Sequence, residues 1–557
     1  MQYYCKMKKT IELLVPAIAI VGSLVATIAL MPFNIDTIYD EGYLYLCLRA
    51  AADGVVDGNS QWANILVSVF GDDTTRNVLS LRLAGFVLSL LSVAIFWLFT
   101  FRMVAKTKLS KIAYLLVCLF LVLPSTGGII LCYNGLAQFF LITACALLYR
   151  ICYDKGNKKM VWAFLLGLSV SFSFFTILPS AVVVGFSSVV LIIVRNRKQI
   201  KQSLLYLAML LLGCLVAVTL THFFVADIPL IVSKMVETAQ TVTTLNRGYD
   251  PMSFAGKTLL FVRDFFMWFL AAVGVVLISC FIKKSRYKWC SLLFFIVSLF
   301  CFYKWQDKPM LTFSMLLSVF WIIPLVDKYK NTSIEIKKMI SFDVLFNLFL
   351  CLFPLLAALG TNVYMGTKIC WFLVPWALLA WRFDFWKESM SFNKATNFLV
   401  SAIFLIGSAM TMKTTDFSQP KVDKGALKGM CFTKAQNDWM WHVDNILNHY
   451  KFEKNKSVVF STQLSTMALI YFDAVPCGLY FQPMDFVAHH NDCSKVPDFL
   501  FLTEYDKSVA GDVIKSMGWG WPEDFDEYYV GTSETQSTVY STDRWLYCRK
   551  QVANTQE

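Results

Sequence analysis

Charge is scarce in this chain. Only 16% of its 557 residues are Asp, Glu, Lys or Arg, where soluble domains carry about 25%. That deficit, with 57% apolar residues and a mean hydropathy of +0.56, excludes a string of soluble globules and leaves a multi-span membrane protein. Glycine and proline are few, 26 and 15, without low-complexity bias, and 16% aromatic residues exclude a disordered or collagen-like chain. Metal-site spacing is missing too. The 16 Cys scatter mostly through apolar segments, where small buried hydrophobes are expected, and they form no CxxC pair or Cys/His cluster. No internal repeat is visible. The net charge of +12 includes no basic cluster interleaved with aromatics, which excludes nucleic acid as a partner.

What is present is a series of apolar runs. A spanning helix needs about 20 mainly apolar residues, and the chain offers thirteen such runs: 13–31, 83–101, 112–124, 135–149, 161–177, 179–194, 203–225, 259–282, 289–303, 310–326, 341–360, 369–381 and 397–412. Basic residues alternate between the connections, as cytoplasmic retention of positive side chains requires. Lys6, Lys8 and Lys9 open one side. It continues with Arg102 to Lys111, Arg150 to Lys159, Arg195 to Lys201, Lys283 to Lys288, Lys328 to Lys338 and Arg382 to Lys394, while the opposite connections hold far fewer. The pattern predicts a cytoplasmic N-terminus in a plasma (inner) membrane and, because the span count is odd, an extracytoplasmic C-terminal segment. A cleaved signal peptide over the first run is the lesser alternative, since cleavage would start the alternation on the wrong side.

Two outer connections are long. Residues 32–82 hold Asp36, Asp40, Glu41, Asp53, Asp57, Asp72 and Asp73 against three Arg, with a short interfacial helix predicted over Leu44–Ala52. Residues 226–258 carry an amphipathic helix, Ile228–Thr244, and then the turn signal Asn246-Arg247-Gly248-Tyr249-Asp250-Pro251. From Thr414 the apolar runs shorten and acids become frequent. The chain therefore divides into a transmembrane domain, 1–413, and a small soluble α/β domain, 414–557. Helices are predicted at Lys434–Tyr450 and Ala510–Met517, and strands at 457–461, 477–481, 497–502, 528–530 and 544–548. That domain holds Cys431, Cys477, Cys493 and Cys548, enough for two disulfides in an oxidising compartment, with three pairings open.

Three short motifs sit at the outer ends of spans. They are Tyr39-Asp40-Glu41-Gly42-Tyr43-Leu44-Tyr45 after the first, Leu81-Arg82-Leu83-Ala84-Gly85 opening the second, and Lys368-Ile369-Cys370-Trp371-Phe372-Leu373-Val374-Pro375 at a late one. Together with the span order, they resemble the C-type (GT-C) membrane glycosyltransferases, in particular the protein O-mannosyltransferase and lipid A aminoarabinose transferase group. The resemblance implies transfer of a sugar from a polyprenyl-phosphate donor to an acceptor hydroxyl on a lipid, glycan or protein at the outer face of the membrane. It implies Asp40 as the general base, with Glu41 orienting substrate or pairing with a cation. The chemistry gives that element a reason, because an acceptor hydroxyl becomes a good nucleophile only if a carboxylate takes its proton. Direct displacement inverts the anomeric carbon and needs no second, nucleophilic carboxylate. The alternative is that both acids cap the following helix, where negative charge gains ~0.3–1 kcal/mol.

The departing phosphate needs positive charge. Lys368 is the first candidate by motif, followed by Lys304, Lys308, Arg247 and Arg263, the last beside Asp264 inside a span. Tyr133, Asn134 and His222 are candidates for lining the sugar site, although a satisfied structural histidine is the commoner case. The connection 125–134 contains no acid. Since some C-type enzymes hold a divalent cation through an acidic element there, a mechanism without metal or other cofactor is expected. The competing classes are a lipid or polysaccharide transporter or flippase, and a non-catalytic surface-glycan assembly protein. Both fit poorly with acids gathered at one surface rather than at midplane.

Overall fold

The computed structural model describes residues 2–33, 40–52, 61–71, 77–122, 131–244, 256, 259, 263, 266, 341–359, 368–382, 390–423, 425–461, 470–476, 497–503, 507, 511, 514–515, 520–531 and 544–550. In chain order the helices are α1 (Gln2–Leu30), α2 (Asp40–Ala52), α3 (Gln61–Phe70), α4 (Val78–Val104), α5 (Lys108–Val122), α6 (Tyr133–Tyr153), α7 (Lys159–Phe174), α8 (Leu178–Arg195), α9 (Ile200–Phe224) and α10 (Ile228–Thr244). After them come α11 (Phe342–Ala357), α12 (Val374–Arg382), α13 (Met390–Thr414) and α14 (Lys434–His449). The chain is an α-helical, multi-pass membrane protein with a small C-terminal sheet. Among the described residues, six helical segments are long and apolar enough to span: Glu12–Leu30, Val78–Val104, Tyr133–Tyr153, Leu178–Arg195, Ile200–Phe224 and Asn393–Thr414. The shorter apolar helices α7 and α11 occupy two more of the predicted runs. Of the eighth to tenth predicted spans, only helical residues 259, 263 and 266 are described.

Two compact units make up the chain. One comprises 1–27, 85–127 and 133–411; the other 28–84, 128–132 and 412–557. In the first, α7 and α9 approach most closely through paired glycines. A Cβ at Gly167 would stand 2.0 Å from the Leu210 carbonyl oxygen, and one at Gly213 would stand 2.1 Å from that of Phe164, so only Gly allows this approach. A cavity of about 390 Å³ lies among α7, α8, α9 and α10, lined by apolar side chains that include Val170, Phe174, Val182, Val218, Ile231 and Met235.

The ends of α6, α8, α11 and α12 meet in a basic and aromatic cluster. Arg382 donates to Asn347 Oδ1 (2.5 Å), Tyr153 Oη (2.7 Å) and Asp343 Oδ1 (3.0 Å), and its guanidinium lies 4.3 Å from the Tyr153 ring centroid. Arg195 donates to the Cys152 carbonyl at 2.9 Å. Arg150, Arg195 and Arg382 are three of the residues whose charge pattern predicts a common side.

In the second unit the strands are β1 (Val458–Ser461), β2 (Val475–Pro476), β3 (Phe499–Thr503), β4 (Phe525–Gly531) and β5 (Arg544–Arg549), in the order β2-β1-β3-β5-β4. β1 pairs parallel with β2 and β3, and β5 pairs antiparallel with β3 and β4. One face of the sheet packs on α14, where Trp439 stands 6.5 Å from Phe501. The opposite face buries Leu500, Leu502 and Tyr547 with Ile514, Trp521 and Phe525. α14 starts where its sequence says it should, since Thr433 and Gln436 close a reciprocal capping box. The predicted strand over 477–481 lies outside the described residues. The disulfide expectation is corrected for two residues: Cys431, ahead of α14, and Cys548, in β5, are free, buried thiols, small apolar fillers. Cys477 and Cys493 lie outside the described residues.

Candidate functional site

The motif ending in Pro375 folds as a turn rather than as one continuous span. Proline lacks an N–H and is tolerated in the first turn of a helix but not in its interior, and the segment accordingly runs through a 3₁₀ turn, Cys370–Phe372, before α12 begins at Val374 with Pro375 in its first turn. The Trp376 N–H closes the junction on the Leu373 carbonyl at 2.8 Å. This break leaves Lys368 at the mouth of α12, only 8% exposed.

Its ammonium is held in a cradle. Nζ donates to Asn134 Oδ1 at 2.8 Å and lies 5.2 Å from the Tyr133 ring centroid and 5.0 Å from that of Trp371. Each aromatic face is worth ~0.5–2 kcal/mol to a cation, and a hydrogen bond to a charged donor ~1.5–3 kcal/mol. Both offset the cost of burying the amine. Tyr133 and Asn134 open α6. One turn on, the buried Gln138 donates to the Trp371 carbonyl at 2.7 Å and accepts from Ser89 Oγ at 3.2 Å, so α4, α6 and the lysine turn are fixed by one side chain. Lys368, Tyr133 and Asn134 thus lie together. At the opposite end of α6, 20 residues and about 30 Å away along the axis, is the Tyr153–Arg382 cluster.

The acidic element belongs to the other unit. Asp40 and Glu41 are the first two residues of α2, which starts earlier than the predicted Leu44. At that position the helix dipole favours carboxylates. Arg82, only 3% exposed, donates to the carbonyls of Met31 (2.6 Å) and Phe33 (2.9 Å), capping the chain where it leaves α1. Through these two contacts the arginine of the second motif holds backbone ahead of the acidic element.

The remaining candidates are placed as follows. Nδ1 of His222, near the end of α9, lies 3.1 Å from Asp227 Oδ1 and 3.3 Å from the Ile228 N–H, and it serves one of these two partners at a time. Either contact fastens α9 to the start of α10. Arg263 is helical and exposed. Lys304, Lys308, Arg247, Asp36 and Asp264 lie outside the described residues. Gln138, Ser89 and Arg49 escape motif reading, but Asn134 and Gln138 recur one helical turn apart on an apolar helix, a signal the sequence does carry. Among the described residues no group of three His, Cys, Asp or Glu side chains converges on a metal position.

No protein-family model and no curated protein matches the chain. Solved structures do. The oligosaccharyltransferase of Archaeoglobus fulgidus in complex with Zn and sulfate matches at a TM-score of 0.47 and 11% identity, over 92% of this chain and 71% of that one. AglB from the same organism, with an inhibitory peptide and a dolichol-phosphate, matches at 0.44 and 10%, over 94% and 73%. ArnT from Cupriavidus metallidurans, bound to undecaprenyl phosphate, matches at 0.38 and 11%, over 98% and 99%. Such low identities and TM-scores leave the function to be read from this chain's own residues.

Proposed function

We propose that this protein is a membrane glycosyltransferase that moves a sugar from a polyprenyl-phosphate carrier to an acceptor hydroxyl, with inversion at the anomeric carbon. The observation that carries the reading is the Lys368 cradle, an ammonium buried at a helix break in a multi-pass membrane unit. It is held by an amide oxygen and two ring faces. A cation so placed suits the charge that develops on a departing phosphate, where fixed electrostatic groups contribute most to rate. Asp40, at the start of α2, takes the acceptor's proton as its oxygen attacks the anomeric carbon. The bond from that carbon to the phosphate oxygen breaks, and its electron pair leaves with the polyprenyl phosphate. Glu41 orients the acceptor or pairs with a cation.

The apolar cavity of the membrane unit supports a lipid-borne substrate, since a chain of isoprene units has nowhere in water to lie. Charge alternation supports a cytoplasmic N-terminus, a plasma-membrane location and residues 414–557 outside the cytoplasm. Arg247, Arg263 and Lys304 are further phosphate contacts on this reading, and Tyr133, Asn134 and His222 line the sugar site.

The test is release of polyprenyl phosphate. Full-length protein in lipid nanodiscs would be supplied with a panel of polyprenyl-phosphate sugars and hydroxyl acceptors of the lipid, glycan and peptide classes. Release that depends on acceptor and yields one inverted glycoside supports the reading. Transbilayer movement of an intact donor, with no bond cleaved, would replace it with a transporter.

A further inference from the structure

α2 carries the proposed base at one end, and the contacts of its other end lie far away in sequence. Arg49, in its last turn, donates through one Nη to the Ala474 carbonyl at 3.2 Å and through the other to Asn455 Oδ1 at 2.8 Å. Those two acceptors form a shaped receptor. Asn455 (φ 57°) and Asp473 (φ 52°) both lie in the left-handed region, which Asn and Asp enter more readily than other residues with a Cβ. They hold each other through the Asn455 N–H on the Asp473 carbonyl at 2.8 Å. Directly beyond them, the Val475 N–H bonds the Ser457 carbonyl at 3.0 Å and the chain enters the β1–β2 pair. Phe452 packs on Phe499 of β3 at 5.6 Å. The receptor is thus built into the sheet of the terminal domain.

The approach to α2 is held by the same part of the chain. The Cys431 N–H bonds the Pro32 carbonyl at 2.8 Å, and Phe417 meets the edge of Phe33 at 5.0 Å, on either side of the carbonyls that Arg82 caps. Between these two points Leu44, Tyr45, Leu46, Cys47 and Leu48 are all buried. A helix of 13 residues is about 20 Å long. The burial of Leu44 to Leu48 and the two Arg49 hydrogen bonds oppose a slide by one residue, about 1.5 Å, along its axis.

We infer that the terminal domain sets the position of the α2 N-terminus, with Arg49 and Asn455 as positioning residues for the transfer reaction. The inference rests on the reading of Asp40 as base. A displacement of about 1 Å at a reacting group costs up to ~100-fold in rate, so the grip on Arg49 bears on turnover rather than on donor binding.

The experiment is a double-mutant cycle on the full-length protein in nanodiscs, read as kcat and KM. Arg49→Ala and Asn455→Ala should each lower kcat about 10- to 100-fold with donor KM within about twofold. The double variant should be no worse than the poorer single one, because both remove the same contact. Arg49→Lys, which keeps the charge and a single donor nitrogen in place of two, should recover part of the loss. Hydrogen exchange of amides 40–52 should accelerate in both single variants and remain unchanged in α4. Losses that multiply in the double variant, or kcat unaltered in both singles, overturn the inference. If the wild-type protein transfers no sugar, the functional reading falls by itself. The exchange measurement then still decides whether Arg49 holds α2, and unchanged exchange overturns that as well.

Discussion

The two charged elements proposed for catalysis are built in opposite ways. Lys368 is fixed by its own side chain: an amide oxygen and two rings surround the ammonium, and Gln138 locks the turn beneath it. The contacts that flank the acidic element are made to backbone or by the far end of its helix. Arg82 and the Cys431 N–H hold the carbonyls of residues 31–33, and Arg49 holds the last turn of α2. The difference follows from what each environment charges for an ion. A buried ammonium must be satisfied atom by atom, whereas a carboxylate at a helix N-terminus is already favoured by the peptide dipoles and needs only to be aimed. Changes at Lys368 should therefore disturb binding and rate together, and changes at the acidic end should disturb rate alone.

The largest effect tests the second half of that contrast. Asp40→Asn keeps the shape and most hydrogen bonding of the side chain but removes its basicity, and loss of a general base costs ~100- to 10,000-fold in rate. Single-turnover transfer should fall by that amount, with donor affinity nearly intact. Near wild-type transfer in a folded Asp40→Asn protein would return Asp40 to the role of a helix cap. Glu41 would then be the acid to replace.

Next in size is Lys368→Ala. Removing one fixed charge from a developing anion costs ~100- to 1,000-fold, and here donor affinity should weaken alongside turnover. Lys368→Arg should recover little, since a cradle shaped for a compact ammonium does not fit a planar fork. If affinity is untouched while the rate collapses, the lysine acts on acceptor chemistry and the contrast between the two elements disappears.

Smaller again is Gln138→Leu. It leaves the Trp371 carbonyl and Ser89 hydroxyl without the partners they now have in Gln138, a loss of ~1–3 kcal/mol. It should lower thermal stability and raise donor KM about 10-fold or less, because it loosens the lysine turn without removing the charge.

Much of this architecture is legible in the sequence, and the illegible part has a physical pattern. Apolar runs announce α1, α4 and α9 because a single helix in lipid must be apolar over its own length. α10 and α14 are readable from their own periodicity, the first over Ile228–Thr244 and the second as an amphipathic helix predicted over Lys434–Tyr450 and found over Lys434–His449. The Lys368 turn is not: the sequence reads 369–381 as one span, and the break shows only in the structure. What the sequence conceals are contacts between residues distant along it. Arg49 and Asn455 are 406 positions apart, and nothing local to either one marks the other. Arg82 is visible as a motif residue, but its contacts with Met31 and Phe33 are to backbone carbonyls, which every residue has and which therefore leave no trace in the sequence.

The smallest effect concerns the cysteines of the terminal domain, where reading by compartment and reading by packing diverge. An oxidising location suggests disulfides, yet Cys431 and Cys548 are free and buried. Burial pushes both thiols up; at Cys431 nearby Lys421 opposes the rise, and at Cys548 Asp526 adds to it. The thiolate is the reactive form, so at pH 7 to 8 the folded protein should react with a maleimide reagent far more slowly at these positions than a free cysteine would. Both should label fully once the protein is denatured, without reductant, and mass mapping of the peptides containing Cys431 and Cys548 gives the answer directly. Labelling that appears only after reduction would mean that one of these thiols is paired. The strap at Pro32, held by the Cys431 N–H, would then be tied to a covalent crosslink as well as to a hydrogen bond.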